Sequence, residues 1–268
     1  MQYDPIKKSL GRFFTGPVFM RKIFFRLLDL LLLRTWYVKK ILRKISGSFP
    51  GEAAVLDAGA GFGQYTWRMK RMNPSWHIKA IDIDKEHVND CEAFFRKAGL
   101  PDIKCEAEDL VKLSDTDQYN LILSVDVMEH IDKDTLVFSN FHRALKSNGI
   151  LLISTPSDKG GSDVHSNEEH SFIDEHVRDG YGMEEITGKL TEAGFQNVAA
   201  SYTYGMPGNI SWRLSMKYPI KMLNGSKLFF LILPFYFLFT FPFALILNFI
   251  DVRIAHKSGT GLLVTAYK

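Results

Sequence analysis

Three alternating glycines and two carboxylates are the sharpest chemical signal in this 268-residue chain. The chain reads Val55-Leu56-Asp57-Ala58-Gly59-Ala60-Gly61-Phe62-Gly63, and about twenty positions later Ile81-Asp82-Ile83-Asp84. Glycines carry no Cβ, so backbone N–H groups can come close to a ligand. An acid at the end of the following strand can accept hydrogen bonds from both ribose hydroxyls. Spacing then chooses among nucleotides. A dinucleotide fingerprint is G-x-G-x-x-G, shaped so that a helix N-terminus meets a pyrophosphate. Here the run is G-x-G-x-G with Asp57 two residues ahead, a carboxylate that repels phosphate and suits a ligand bearing an ammonium and a sulfonium. S-adenosylmethionine fits that description and is the expected cofactor.

A second cluster lies in Ser157 to Tyr181, where His165, His170 and His176 stand among Asp163, Glu168, Glu169, Asp174 and Glu175. A histidine near its ordinary pKa of about 6.5, oriented by a carboxylate, can take the proton of an acceptor hydroxyl and contribute about 10² to 10⁴ in rate. The same three residues could hold a divalent metal or cap the helix around Glu184. Their spacing fits no tight ligand pattern, so no metal is expected and the base role ranks first. His130 is a further candidate facing the same crevice.

Strand and helix signals that alternate with the beat of βαβ units must position these groups. Ala53 to Leu56 reads as a strand entering the glycine turn, and Ile103 to Cys105 as a short one followed by Glu106 and Ala107, which could read adenine. Tyr119 to Val125 is an unbroken apolar run, the mark of a strand buried on both faces. A helix ending at Lys146 to Gly149, with Gly149 as its C′ residue, precedes a strand over Ile150 to Ser154. The last strands are expected at Asn197 to Tyr204 and Gly261 to Tyr267.

The pieces VLDAGAGFG, AIDID, CEAEDL, YNLILSVDVMEHI, ALKSNGILLISTP, EHVRDGYGMEEITGKLTEAGF and the terminal GLLVTAYK occur in this order. In them the chain resembles class I S-adenosylmethionine-dependent methyltransferases, the broad group that includes quinone-biosynthesis and lipid-pathway enzymes. The resemblance implies an α/β fold with a Rossmann-like seven-stranded sheet. It implies that Asp57, Gly59, Gly61 and Gly63 shape the methionine end of the cofactor site. Asp82, with Ile83 beside it, would hold the ribose, Glu106 and Ala107 the adenine, and the Ser124 backbone the amino group. Glu106 stands where the family more often has an aspartate, and Asp109 is the alternative adenine contact. Residues 175–181 match a frequent lid element, which makes His165 and His170 the better bases and gives His176 an orienting part.

The net charge of +3 conceals an asymmetry: residues 1–48 carry eleven Lys or Arg against Asp4 and Asp29, or +9, leaving −6 on the rest. Phe24, Phe25, Leu27, Leu28, Leu30 to Leu33, Trp36 and Tyr37 interleave with those charges, which argues against nucleic acid and for an anionic membrane surface. The alternative is a cap packed over the active site, and the two are compatible. Arg26 and Asp29 interrupt the apolar stretch, so a secretory signal is not expected. Cys91 and Cys105 form no metal spacing and suit a reduced, cytoplasmic setting.

Leu228 to Ile250 holds 23 residues without a charge, long enough to span a bilayer. Topology argues otherwise: a single crossing would strand Gly261 to Tyr267 on the far side of the sheet it must complete. With Pro234 and Pro242 breaking it, the segment reads as an interfacial helical hairpin, or else a buried lid or dimer surface. Three units follow: a basic arm over 1–48, a methyltransferase domain over 49–205 and 259–268, and a hydrophobic insertion over 206–258. The expected activity is O-methylation of a phenol or quinol with an apolar tail, by a monotopic protein on the inner membrane face. N- or C-methylation of a lipid or polyprenyl precursor is the alternative, and a non-catalytic nucleotide-binding module the reading from another class. Oligomers are compatible with all three.

Overall fold

The computed structural model of the chain describes residues 17–160 and 177–268. Two helices come first, α1 (Val18–Leu31) and α2 (Leu33–Ser48). Then follow β1 (Ala53–Ala58), α3 (Gln64–Met72), β2 (Trp76–Asp82), α4 (Lys85–Lys97), β3 (Lys104–Ala107) and β4 (Tyr119–Val125). α5 (Asp134–Ala144), β5 (Leu145–Pro156), α6 (Met183–Glu192) and β6 (Gln196–Thr203) complete the alternating part, and β7 (Gly261–Tyr267) closes it. The seven strands form one sheet in the order β3-β2-β1-β4-β5-β7-β6, with β7 antiparallel to both neighbours. That is the Rossmann-like methyltransferase sheet expected from the motifs.

Both faces of the sheet are covered, which is why its central strands are apolar throughout. On one face Leu56, Ile122, Leu151 and Ile153 pack under Val137, Phe138 and Phe141 of α5 and Ile186 and Leu190 of α6. On the other, Val55, Ile78, Leu121 and Leu152 meet Leu33, Tyr37, Val38, Leu42 and Ile45 of α2. α1 follows the same side outward, where Phe25 packs on Phe94 and Phe95 of α4 with ring centroids 5.5 Å apart for Phe25 and Phe94. The arm is thus a packed cap. It also leaves Phe19, Ile23, Leu27 and Leu30 exposed as a stripe along α1.

Between β6 and β7 the chain makes a helical hairpin. One leg is α7 (Met206–Trp212), a π-turn over Arg213–Lys217 and α8 (Tyr218–Gly225). The π-turn ends two residues before Pro219, whose missing N–H denies the helix one ordinary bond. After a 3₁₀ turn, Lys227–Leu231, the chain returns as α9 (Leu233–Asp251). Two expectations change here. Pro242 lies inside α9 without ending it, because α9 packs through Ala244, Asn248 and Asp251 and the cost of one interior proline, about 3 kcal/mol, falls on a helix held by tertiary contacts. Pro234 does mark a boundary, standing in the first turn of α9 where the 3₁₀ turn ends, and a further break lies at Ser226, whose backbone is extended. α5 also stops at Ala144, and the left-handed residue that turns the chain is Asn148 (φ 61°), so Gly149 is not its C′ residue.

Asp251 ties the base of the hairpin to the body. Its carboxylate is fully buried and accepts from Gly208 N (2.9 Å) and from the Tyr37 hydroxyl (2.7 Å), and its Oδ1 lies 3.1 Å from His256 Nε2. Both legs therefore start and end at one point on the sheet's flank.

Candidate active site

The parallel register sets the site along the carboxyl ends of the strands. Ala58 lies beside Ile81 on one side and Ser124 on the other, and Asp82 beside Ala107. β1 runs straight into the glycine turn, whose first two amides, Gly59 N and Ala60 N, both donate to Ile81 O at 2.9 Å. Gly59 (φ 84°), Gly61 (φ 51°) and Gly63 (φ 78°) all adopt the left-handed region. A Cβ on Gly59 would lie 2.2 Å from Val127 Cγ2, and one on Gly63 2.9 Å from Phe95 Cζ. Gly61 differs, since a Cβ there would meet nothing within 4 Å. Two of the glycines are required by packing, and the third faces open space.

Asp82 is oriented from two sides: its Oδ2 accepts from Gly61 N at 2.8 Å and its Oδ1 from Asp84 N at 2.9 Å. Each oxygen retains lone pairs for a ligand. Ile83, next along, is exposed. Ser124 is buried at the end of β4, and its Oγ has no hydrogen-bond partner. Ala107 is exposed at the end of β3, while the Glu106 carboxylate pairs with Lys79 (3.1 Å), which also holds Glu108 (2.9 Å) and Asp115 (3.3 Å). The Asp109 carboxylate caps its own turn through Val111 N at 2.9 Å. Asp57, Asp82, the glycines, Ala107 and Ser124 thus share one edge, and the Glu106 side chain is engaged elsewhere. His165, His170 and His176 lie outside the described residues. The chain rejoins at Val177, whose N–H donates to Glu129 O (3.1 Å) just past β4. His130 closes the 3₁₀ turn Met128–His130 there.

Asp57 lies behind the turn, buried, with its Oδ2 accepting the Thr66 hydroxyl at 2.5 Å. Burial pushes its pKa from 3.8 up to about 7, against the lowering effect of the Thr66 bonds. This acid binds its proton more tightly folded than unfolded, so its contribution to stability falls as pH rises from about 4 through about 7. A cationic ligand nearby reverses the preference by favouring the ionised form. Cofactor affinity is therefore expected to rise between pH 6 and 8, about the raised pKa, with proton release on binding. Calorimetry in buffers of different ionisation enthalpy would detect it. Asp57→Asn should flatten the dependence, and a parent affinity independent of pH would refute the assignment.

The arm adds groups that the sequence did not single out. Arg34, two residues into α2, forms an ion pair with Asp126, the residue just past β4, and its backbone N–H donates to the Tyr204 hydroxyl at 2.9 Å. Asp126 is left-handed at φ 52°, a conformation costing a non-glycine roughly 1–2 kcal/mol, and such strain concentrates where a side chain must be aimed. Asp29 pairs with Arg68 and accepts from Gln64 Nε2 (2.8 Å), both on α3, and Arg21 donates to Phe62 O (2.6 Å) within the glycine turn. The only trace of this in sequence is the single cation interrupting the apolar run Leu30 to Trp36.

Residues 51–197 match the family of the methyltransferase domain. The chain belongs to that family. The domain is of the methyltransferase kind, which takes S-adenosylmethionine as its cofactor. Over 124 residues it is 21% identical to a malonyl-[acyl-carrier protein] O-methyltransferase of Bacillus cereus, a match covering 46% of this chain and 45% of that one. Over 102 residues it is 28% identical to a ubiquinone biosynthesis O-methyltransferase of Pelagibacter ubique, covering 38% and 41% respectively. The matched stretch thus spans less than half the length of these curated relatives. Among solved structures, a putative sarcosine dimethylglycine methyltransferase from Galdieria sulphuraria superposes with a TM-score of 0.58 at 18% identity, over 87% of this chain and 83% of that one. A Haemonchus contortus phosphoethanolamine N-methyltransferase, solved with phosphomonomethylethanolamine and S-adenosylhomocysteine, gives 0.57 at 17% identity, over 81% and 49%. At these identities the structures establish the fold alone.

The residues present fit the cofactor. Gly61 leaves a cradle that a Cβ would fill, the Asp82 carboxylate is aimed beside it, and the orphaned Ser124 hydroxyl marks the floor. When bound, the cofactor supplies an electrophilic methyl group on a sulfonium.

Proposed function

We propose that this methyltransferase acts on the oxygen of a phenol or quinol that carries a long apolar tail, at the anionic inner face of a membrane. One observation carries the reading: the hairpin is apolar and exposed, and before the buried Asp251 at its base it holds no acid. From Met206 to Ile250 there is no Asp or Glu, and Arg213, Lys217, Lys221 and Lys227 are its charges. Leu228 and Leu231 are each 74% exposed, and Phe230, Phe235, Phe239 and Phe243 are exposed as well. Full burial of one such side chain is worth about 1.5 to 3 kcal/mol, and each cation near anionic lipid about 1 kcal/mol. A monomer in water gains nothing from such a patch. The stripe Phe19, Ile23, Leu27 and Leu30 of α1 is exposed as well.

In this reading the protein's chief contribution is alignment, which can save about 7 to 11 kcal/mol of barrier. Asp82 and the glycine turn hold the cofactor, Asp57 favours its positive charge, and the ion pair of Arg34 with Asp126 sets the wall on the acceptor side. The acceptor's proton goes to a histidine, with His165 and His170 ahead of His176 and His130. The same surface serves the N- or C-methylation alternative, which product analysis separates.

Flotation with vesicles containing phosphatidylserine is the test. The parent should float, and float less as salt rises. The triple variant Phe230→Ser, Phe235→Ser, Phe239→Ser should lose at least about tenfold in partition, since three half-buried rings are worth more than 1.4 kcal/mol. Equal flotation of parent and variant would refute membrane docking through the hairpin. Labelled methyl transfer to a long-tailed quinol in those vesicles, with the product's ether confirmed by mass spectrometry, tests the acceptor class.

A further inference from the structure

A small pocket at the joint of arm and hairpin has a polar group that the fold leaves unanswered. Asn248 of α9 is buried, and its Oδ1 has no hydrogen-bond partner. It faces a pocket walled by Leu31, Leu32 and Leu33 from the link between α1 and α2, and by Trp212 and Met216 from the outgoing leg. Two serines also line it, and both have already spent their hydrogens: Ser211 Oγ donates to Ala244 O (3.0 Å) and Ser215 Oγ to Ser211 O (2.8 Å). The Tyr204 hydroxyl, on the remaining side, accepts from Arg34 N. The Tyr204 O–H and the Trp212 indole N–H also line the pocket, yet among the described residues no donor reaches Asn248 Oδ1. Leaving a buried acceptor unmatched costs about 1 to 3 kcal/mol.

What would satisfy it is constrained by the same walls. Among the described residues no charged side chain lines the pocket, and the nearby Asp251 is engaged by Gly208, Tyr37 and His256. A charged head would be desolvated without a counter-ion, so an ammonium, carboxylate or phosphate is disfavoured. The space admits a group about the size of one water or hydroxyl. Trp212 of the lining is itself exposed, as are Leu30, next in the chain to the lining residue Leu31, and Leu27 one turn before it. The geometry points to a subsite for the neutral hydroxyl head of a single-chain amphiphile, with the hydroxyl donating to Asn248 Oδ1 and the tail lying along the seam between α1 and α7. It deepens the proposed membrane reading by naming the kind of lipid group recognised, and its location ties that group to the active site, because Tyr204 lines the pocket while its hydroxyl holds the backbone of Arg34.

The test uses 1-dodecanol and dodecyl methyl ether, which share a tail and differ in one donor. Both are titrated into the full-length protein below their solubility limits and without vesicles, followed by calorimetry. Dodecanol should bind saturably and about five- to tenfold tighter than the ether, the worth of one net hydrogen bond. Asn248→Leu should abolish the difference while keeping or raising the melting temperature, since it removes an unmatched polar group. Met216→Trp, which fills the pocket from another wall, should weaken dodecanol binding independently, and it stands as the second variant should Asn248→Leu fold poorly. Equal affinity for alcohol and ether, an unchanged difference in Asn248→Leu, or no binding at all would overturn the subsite and leave a buried water as the partner of Asn248. With no membrane in the assay, failure here is separable from failure of the flotation experiment.

Discussion

Asp82→Ala is expected to remove detectable binding of S-adenosylmethionine while leaving the protein folded. The carboxylate stands at the end of β2 with one bond from Gly61 N and one from Asp84 N, so both oxygens are fixed before any ligand arrives. A ribose diol adds two hydrogen bonds to a charged acceptor, each worth about 1.5 to 3 kcal/mol, and the pair corresponds to roughly 10² to 10⁴ in dissociation constant. The substitution also releases Gly61, whose left-handed backbone the carboxylate pins in place. Asp82→Asn keeps one acceptor oxygen and loses the charge, so an intermediate loss is expected. Neither change enters the core, since Asp82 is only partly buried, and the melting temperature should move by a few degrees at most for a domain of this size. Calorimetry of the two variants beside the parent decides it. Parent-like affinity in Asp82→Ala would remove the carboxylate from the cofactor site altogether.

How far a sequence discloses such a site depends on the range of the interactions that build it. The glycine turn and Asp82 are legible because a strand, a tight turn and the end of the next strand are local patterns. β4 and β7 begin and end at Tyr119–Val125 and Gly261–Tyr267 as their largely apolar runs suggest, because a strand buried on both faces carries few polar residues and no charge. The groups that close the site are another matter. The Tyr37 hydroxyl finds Asp251 across 214 residues, and nothing local in either segment announces the other. The same holds for Arg34 with Asp126 and for Thr66 with Asp57, whose adjacent motif hides that the acid is buried rather than facing ligand. Local rules also lose to packing: Pro242 is carried inside α9, and β5 takes over Leu145 to Gly149, which end-of-helix signals assign to a helix. Glu106 shows the limit of carrying a role by position, because Lys79 two positions before Ile81 claims its carboxylate.

The three glycines look alike in sequence, and the structure separates them by what a methyl group would meet. Gly59→Ala should compromise folding: at φ 84° the new Cβ would lie 2.2 Å from Val127 Cγ2 and within 3.3 Å of its Cγ1 and Cβ, a short β-branched side chain with little room to swing away. Left-handed strain of roughly 1–2 kcal/mol adds to overpacking of about 1–3 kcal/mol, a large share of a domain's net stability. Gly61→Ala should behave differently. Its Cβ meets nothing within 4 Å, so only the backbone strain remains, near φ 51° where an alanine is least penalised. The protein should fold and melt within a few degrees of the parent, yet the methyl group occupies the space in front of the turn where a cofactor has to approach the backbone. If overpacking there costs about 1–3 kcal/mol, affinity falls by roughly 5- to 150-fold. The pair of variants thus divides one motif into a residue that packs and a residue that binds, with thermal unfolding reading the first and calorimetry the second. Full cofactor affinity in Gly61→Ala would mean that the open space before the turn is not where the cofactor sits, and the placement of Asp82 as its ribose partner would fall with it.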